Sequence, residues 1–293
     1  MYYIVYGFLY LISLLPWRVL YFISDGFYAL LYYVIGYRKK IVMNNLSIAF
    51  PEKTEQERVR IAKEFYRNFL DTFIETIKMI SVSENTLRKR FTANFEVVND
   101  LYESGKNVQL VSGHFFNWEF GSLASSLLSK YPFIAVYMPI SNKIFERLML
   151  NLRQKFGAIF LPATTFRQSF APYASGRYAL ILVADQNPGN PNKAYWMPFF
   201  GKMAPFISGP EKGAKANNDA VVFAHFYREK RGYYKASLQL LTTEPNTYKE
   251  GALTKELIRL TEEAIRRKPS NYLWSHRRWK WEYKEEFKHL VIE

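Results

Sequence analysis

No cysteine occurs among the 293 residues, which excludes disulfides, thiolate nucleophiles and cysteine-based metal sites. Histidine is scarce too: the four residues, at 114, 225, 276 and 289, stand far apart without ligand spacing, so no metal site is implied, and no cofactor is expected. Chemistry must rest on oxygen and nitrogen groups. Acidic residues are outnumbered, 26 Asp and Glu against 40 Lys and Arg. The net charge of +14 points to an acidic partner: anionic lipid headgroups, nucleic acid or an acidic carrier protein. From Met1 to Tyr37 charge of either sign is missing except at Arg18 and Asp25.

That charge-poor segment is rich in aromatics, a membrane-facing composition. A helical span needs about 20 apolar residues. Met1–Trp17 and Val19–Tyr37, the second broken by Asp25, each fall near that length, and Pro16-Trp17-Arg18 marks the break between them. One spanning helix with an interfacial one, or a shallow hairpin, fits both lengths. A Tyr-rich core helix of a soluble protein is the alternative. No basic leader or small-residue cleavage site marks a signal peptide. Arg38, Lys39 and Lys40 follow at once, which by the positive-inside tendency puts the rest of the chain in the cytoplasm.

Thr54 with Glu57 three residues on forms a capping box, so a helix is expected to begin there. Ala62, Phe65, Tyr66, Phe69, Leu70, Phe73, Ile77 and Ile80 recur at threes and fours, the stripe of one buried face. From Val108 onward, strand-like runs (108–111, 133–137, 178–184, 220–226 and 233–241) alternate with helical stretches (143–156 and 253–268). This predicts an α/β fold with a mixed, mostly parallel central sheet flanked by helices. Three parts are expected: an anchor at 1–37, an amphipathic helical segment at 38–107 packing on the catalytic part, and an α/β core at 108–293.

Leu110-Val111-Ser112-Gly113-His114 is an apolar run delivering a histidine, with Glu119 five residues later. A turn after His114 with Glu119 in the first turn of the next helix would let a general base meet an orienting carboxylate. The competing reading is a strand end followed by an ordinary dipole-favoured glutamate. A second run, 178–184, leads into Asp185-Gln186. Ligand crevices of open α/β sheets lie at the carboxyl ends of strands, so His114 and Asp185 are expected to face one cleft, unless Asp185 merely makes a turn before Pro188-Gly189.

Residues 187–213 hold nine Gly or Pro yet also Trp196, Phe199, Phe200 and Phe206, so they read as a long loop packed against the domain, a membrane or an acyl chain. Tyr272-Leu273-Trp274-Ser275-His276-Arg277-Arg278-Trp279-Lys280-Trp281 interleaves aromatics with cations. Single-stranded nucleic-acid surfaces and membrane-interface belts share that pattern. The apolar N-terminus favours the membrane, with Arg277 and Arg278 on phosphate, and no nucleic-acid-binding motif accompanies it.

Six landmarks in order now resemble the lysophospholipid acyltransferase superfamily, in particular the bacterial late acyltransferases of lipid A biosynthesis. They are Asn45-Leu46 with Phe50-Pro51; Gly113-His114-Phe115-Phe116-Asn117-Trp118-Glu119; Tyr137-Met138-Pro139 followed by Arg153; Ala184-Asp185-Gln186; Pro198-Phe199-Phe200-Gly201; and Tyr272 to Lys280. The resemblance implies that His114 is the general base and Glu119 orients it. Arg153 and Asp185, with Asn117, Gln186, Arg277 and Arg278, would serve substrate binding or site architecture. It implies an acyl thioester donor on acyl carrier protein or coenzyme A, a lipid hydroxyl as acceptor, and the cytoplasmic face of the inner membrane. Many relatives carry Tyr-Arg-Pro or Tyr-Lys-Pro where this chain has Tyr137-Met138-Pro139. The missing cation leaves the acceptor open between a lipid A precursor and a lysophospholipid or aminolipid. The expected mechanism is direct transfer without an acyl-enzyme, since nothing marks Ser112 as a nucleophile. A non-catalytic lipid-binding protein is the reading from another class.

Overall fold

The structure is a computed structural model describing residues 1–292. Two apolar helices open the chain, α1 (Tyr2–Leu14) and α2 (Trp17–Ala29), the latter continuing through a π-helical stretch, Leu30–Ile35. The chain then forms α3 (Lys39–Ala49) and the long α4 (Glu55–Met79). At the start of α4 the Thr54 hydroxyl accepts from the Glu57 amide while Glu57 accepts from the Thr54 amide, so the capping box is complete. Short elements follow: α5 (Glu84–Arg90), β1 (Phe91–Ala93) and α6 (Glu96–Glu103).

The remaining elements build the sheet and its cover. They are β2 (Val108–Ser112), α7 (Trp118–Leu128), β3 (Phe133–Tyr137), α8 (Lys143–Arg153), β4 (Ile159–Pro162), α9 (Phe166–Phe170) and β5 (Ala179–Val183). Then come β6 (Ala194–Phe199), β7 (Lys202–Ile207), α10 (Gly209–Asn217), β8 (Ala220–Lys230), β9 (Tyr233–Thr242) and α11 (Ala252–Arg267). Seven strands form one sheet in the order β1-β9-β8-β2-β5-β3-β4. Every neighbouring pair is parallel except the β8–β9 hairpin. The expected mixed, mostly parallel α/β architecture is the one the chain adopts.

β2 is buried at all five positions, as a central parallel strand covered on both faces must be. One face is closed by α7, where Gly121 lets the helix approach Phe226 so closely that a Cβ would stand 2.7 Å from its ring. Two expectations need correction. The 38–107 segment does not merely pack on the core, because its β1 pairs in parallel with β9 as the sheet's edge. Nor is 187–213 a plain loop: β6 and β7 form an antiparallel hairpin turned at Phe200-Gly201, both with positive φ, and α10 begins at Gly209. Phe199, Ala204 and Phe206 are buried on one side of the hairpin and Trp196 on the other, a two-sided burial that proline content concealed.

Candidate active site

Register brings the first two site residues together. β2 and β5 are parallel neighbours with Ser112 opposite Val183, and the Ala184 amide donates to the Ser112 carbonyl at 3.0 Å. His114 and Asp185 each lie two residues beyond that last pair, so they emerge side by side at the carboxyl edge. His114 Nδ1 and Asp185 Oδ1 are 2.7 Å apart. The Asp185 carboxylate is buried and the imidazole is partly exposed. With Nδ1 committed to the carboxylate, Nε2 is the nitrogen left for a substrate. Burial by itself would raise the Asp185 pKa, but the charge and hydrogen bond of His114 outweigh it and hold the carboxyl at about 2.

Glu119 is not the partner of His114. Asn117 caps α7, its side chain accepting from the Phe120 amide at 3.1 Å, and this places Glu119 in the first helical turn as expected. There Glu119 faces the last residue of α8. Arg153 Nε donates to its Oε2 at 2.9 Å and Nη2 to its Oε1 at 2.5 Å, a bidentate pair that Trp118 Nε1 joins at 3.2 Å. Burial works against the Arg153 charge, but the Glu119 hydrogen bonds and charge raise its pKa overall. One turn therefore carries two ion pairs of different origin: His114 meets Asp185 through the β2–β5 register, and Glu119 meets Arg153 at the end of α8.

The C-terminal segment straps this turn in place. Leu273 donates to the His114 carbonyl at 3.1 Å, and the Phe116 amide donates to Asn271 at 2.9 Å. The Phe115 amide donates to the Gly113 carbonyl at 2.8 Å, so neither amide is free as an oxyanion donor. Ser112, buried, spends its hydroxyl on the Ala224 carbonyl at 2.7 Å. Arg277 is exposed and offers its carbonyl to Asn187, while Gln186 is half-buried beside the site. Arg278 departs from the expected interface cation: it is fully buried, donating to Asn187 at 3.0 Å and to the Pro205 carbonyl at 2.9 Å, with its guanidinium 4.0 Å from the Phe206 ring centroid. Burial lowers its pKa to about 10. The aromatic-basic pattern encodes a buried clamp on the β6–β7 hairpin here.

Several contributors escaped the sequence reading. Tyr272 is buried beside Asp185, and His276 Nε2 accepts from the Asn187 amide at 3.2 Å, its pKa lowered to about 4 chiefly by burial. Glu75, buried within α4, takes Asn117 Nδ2 at 3.0 Å, the Tyr234 hydroxyl at 2.5 Å and the Tyr21 hydroxyl at 2.8 Å. One turn earlier Asp71 binds Ser24, Arg228 and Arg231. Asn68, Asp71 and Glu75 recur at threes and fours beside the apolar stripe, and that polar line was the available signal for a buried network.

The whole chain has known relatives. A family model described as bacterial lipid A biosynthesis acyltransferase matches residues 1–281. The lipid A biosynthesis palmitoleoyltransferase of Escherichia coli (strain K12) is 24% identical over 280 residues, covering 94% of this chain and 89% of that protein. The lipid A biosynthesis lauroyltransferase of the same strain is 24% identical over 278 residues, with 94% and 89% covered. A lipid A biosynthesis acyltransferase of Haemophilus influenzae is 25% identical over 272 residues, with 91% and 86% covered. A histidine and its carboxylate at the edge of a parallel sheet thus sit in a chain that belongs, over nearly its full length, to the bacterial lipid A biosynthesis acyltransferase family and is an acyltransferase.

Proposed function

We propose that this enzyme moves a fatty acyl chain from an acyl thioester to a hydroxyl of a lipid A precursor at a membrane surface, with His114 as general base. The observation that carries this reading is the 2.7 Å pairing of His114 Nδ1 with buried Asp185. Nε2 accepts the proton of the acceptor hydroxyl as its oxygen attacks the thioester carbonyl carbon. The tetrahedral intermediate collapses with cleavage of the C–S bond, and the thiolate takes the proton back from Nε2. Asp185 fixes the tautomer and stabilises the transient imidazolium, the role Glu119 was expected to fill. Glu119 holds the Arg153 guanidinium at the edge of the site, where it orients an anionic group of donor or acceptor.

The relatives' names supply the acceptor class, and the net charge of +14 favours an acidic acyl carrier protein over a neutral donor. The apolar N-terminal helices, bordered by Arg38, Lys39 and Lys40, support an inner-membrane enzyme, and an acyl carrier protein donor would put its catalytic body on the cytoplasmic face. Transfer to a lysophospholipid or an aminolipid uses the same steps with another hydroxyl.

The test is turnover of purified His114→Ala with an acyl thioester and the lipid acceptor, followed by mass spectrometry of the lipid. A general base contributes about 10² to 10⁴ in rate. A loss of at least that order is expected in a protein that still folds and partitions to membranes, and wild-type turnover would sink the mechanism. Lipid profiles of a deletion strain identify the species that lacks one acyl chain.

A further inference from the structure

The helix Trp17–Ile35 is 19 residues long with mean hydropathy 1.2, which by length and composition suits it to cross a membrane. Its contacts argue otherwise. Lys78 Nζ donates to the Leu15 carbonyl at 3.0 Å, just ahead of α2, and Ser24 donates to Asp71 at 2.7 Å in its middle. Arg67 lies 4.9 Å from the Tyr28 ring centroid, and the Tyr66 hydroxyl donates to the Tyr37 carbonyl at 2.6 Å past the far end. Partner numbers fall from 78 to 66 as helix numbers rise from 15 to 37, so the helix runs antiparallel along most of α4. Asp25 is paired with Arg231, which also binds Asp71. A crossing would carry α4 and these charges into hydrocarbon, where each charge at the bilayer centre is costly.

The other side of the same helices is uncovered. Ile4, Phe8 and Leu11 of α1, with Phe22, Val34 and Ile35 of α2 and its π extension, are 59–80% exposed. Cations border this apolar face: Arg18 at the start of α2, Arg38, Lys39 and Lys40 beyond its end, and Arg67 on α4. The face is also continuous with the active site. Tyr37 stacks on Phe69 at 6.1 Å, Phe69 meets Phe116 at 6.3 Å, Phe116 meets Trp118 at 5.6 Å, and Trp118 meets His114 at 5.8 Å.

We propose that α1, α2 and the π-helical stretch lie flat on an anionic bilayer, their outer face inserted to roughly 5–10 Å, and that no segment crosses it. The cations meet lipid phosphates, the apolar side chains meet the acyl boundary, and the aromatic path sets His114 at the margin of that contact. A lipid acceptor then reaches the base sideways from the membrane. The inference rests on the membrane reading above and adds the geometry of attachment.

The absence of cysteine makes the test direct. Arg18→Cys and Tyr37→Cys mark the two ends of the apolar helix, and Lys193→Cys, at an exposed site, marks the body of the enzyme. Each full-length variant is probed with a membrane-impermeant maleimide in intact spheroplasts and in inverted inner-membrane vesicles. Flat seating predicts that all three positions label from one side only, the same for each. Labelling of the two helix ends from opposite sides would overturn it and leave the catalytic reading untouched. Wild-type protein is also expected to float with phosphatidylethanolamine–phosphatidylglycerol vesicles, and the double variant Phe22→Asp/Val34→Asp to lose at least tenfold in binding. Failure of the wild type to float would overturn both the seating and the membrane reading, whereas His114→Ala should float normally.

Discussion

Asp185 is buried next to an imidazole, and its low pKa means that it carries its charge across the whole neutral range. A carboxylate whose folded pKa lies below its unfolded value of about 3.9 adds stability that is full above that unfolded value. The contribution is lost as pH falls toward about 2. Asp185→Asn is therefore expected to remove part of the acid-unfolding transition between about pH 4 and about pH 2, read by circular dichroism. The same substitution should lower turnover by about 10² to 10⁴ at neutral pH, because the amide no longer fixes the productive tautomer. An unchanged rate with unchanged fold would remove Asp185 from the mechanism. His114 itself was legible in the sequence: an apolar strand ending in Gly-His exposes a base at a sheet edge. Asp185 was legible as a strand-end residue facing the same cleft, but its pairing with His114 was not, because it stands 71 residues away and only strand register makes the two neighbours.

Helix α7 begins where three elements meet, since its cap Asn117 is tied to Glu75 of α4, which also holds Tyr234 of β9 and Tyr21 of α2. Burial raises the Glu75 pKa, against the hydrogen bonds from Tyr234 and Asn117 that favour its charge. Glu75→Leu leaves the buried Asn117 and Tyr234 donors and the half-buried Tyr21 hydroxyl without their acceptor, a loss of roughly 2–4 kcal/mol. Urea unfolding of the full chain should show a lower midpoint, while a shift below about 0.5 kcal/mol would mean that the network relaxes around the substitution. At this scale local signals served well wherever they were strong. The Thr54–Glu57 box and the β3 run Phe133–Tyr137 are found as read. β1 and the β6–β7 hairpin were missed because three residues carry no periodicity and because Pro198 and Pro205 argue against strands unless those strands stand apart from the main sheet, as these do.

Across the whole molecule the excess of cations joins an apolar face to a cytoplasm-facing catalytic body in the proposed arrangement. Electrostatic attraction to an acidic carrier is screened by salt, with a Debye length of about 10 Å at 0.1 M. Raising salt from about 0.05 to about 0.5 M is therefore expected to reduce kcat/KM for a carrier-borne thioester several-fold. An uncharged S-acyl pantetheine should change much less. Equal slopes for the two donors would show that the basic surface does not steer the carrier.

Composition and pattern alone determined the class of this protein. Absence of cysteine left oxygen and nitrogen chemistry, alternating apolar runs required a covered parallel sheet, and six ordered landmarks identified the acyltransferase resemblance. Pairing was decided only by the tertiary structure. Sequence spacing offered Glu119 to His114, but the β2–β5 register brought Asp185 there first, and the end of α8 brought Arg153 to Glu119. Arg278 moved from an expected lipid contact into the core for the same reason. A charged side chain takes the partner that packing sets within hydrogen-bond reach, and that distance is fixed by how elements remote in the chain are laid side by side.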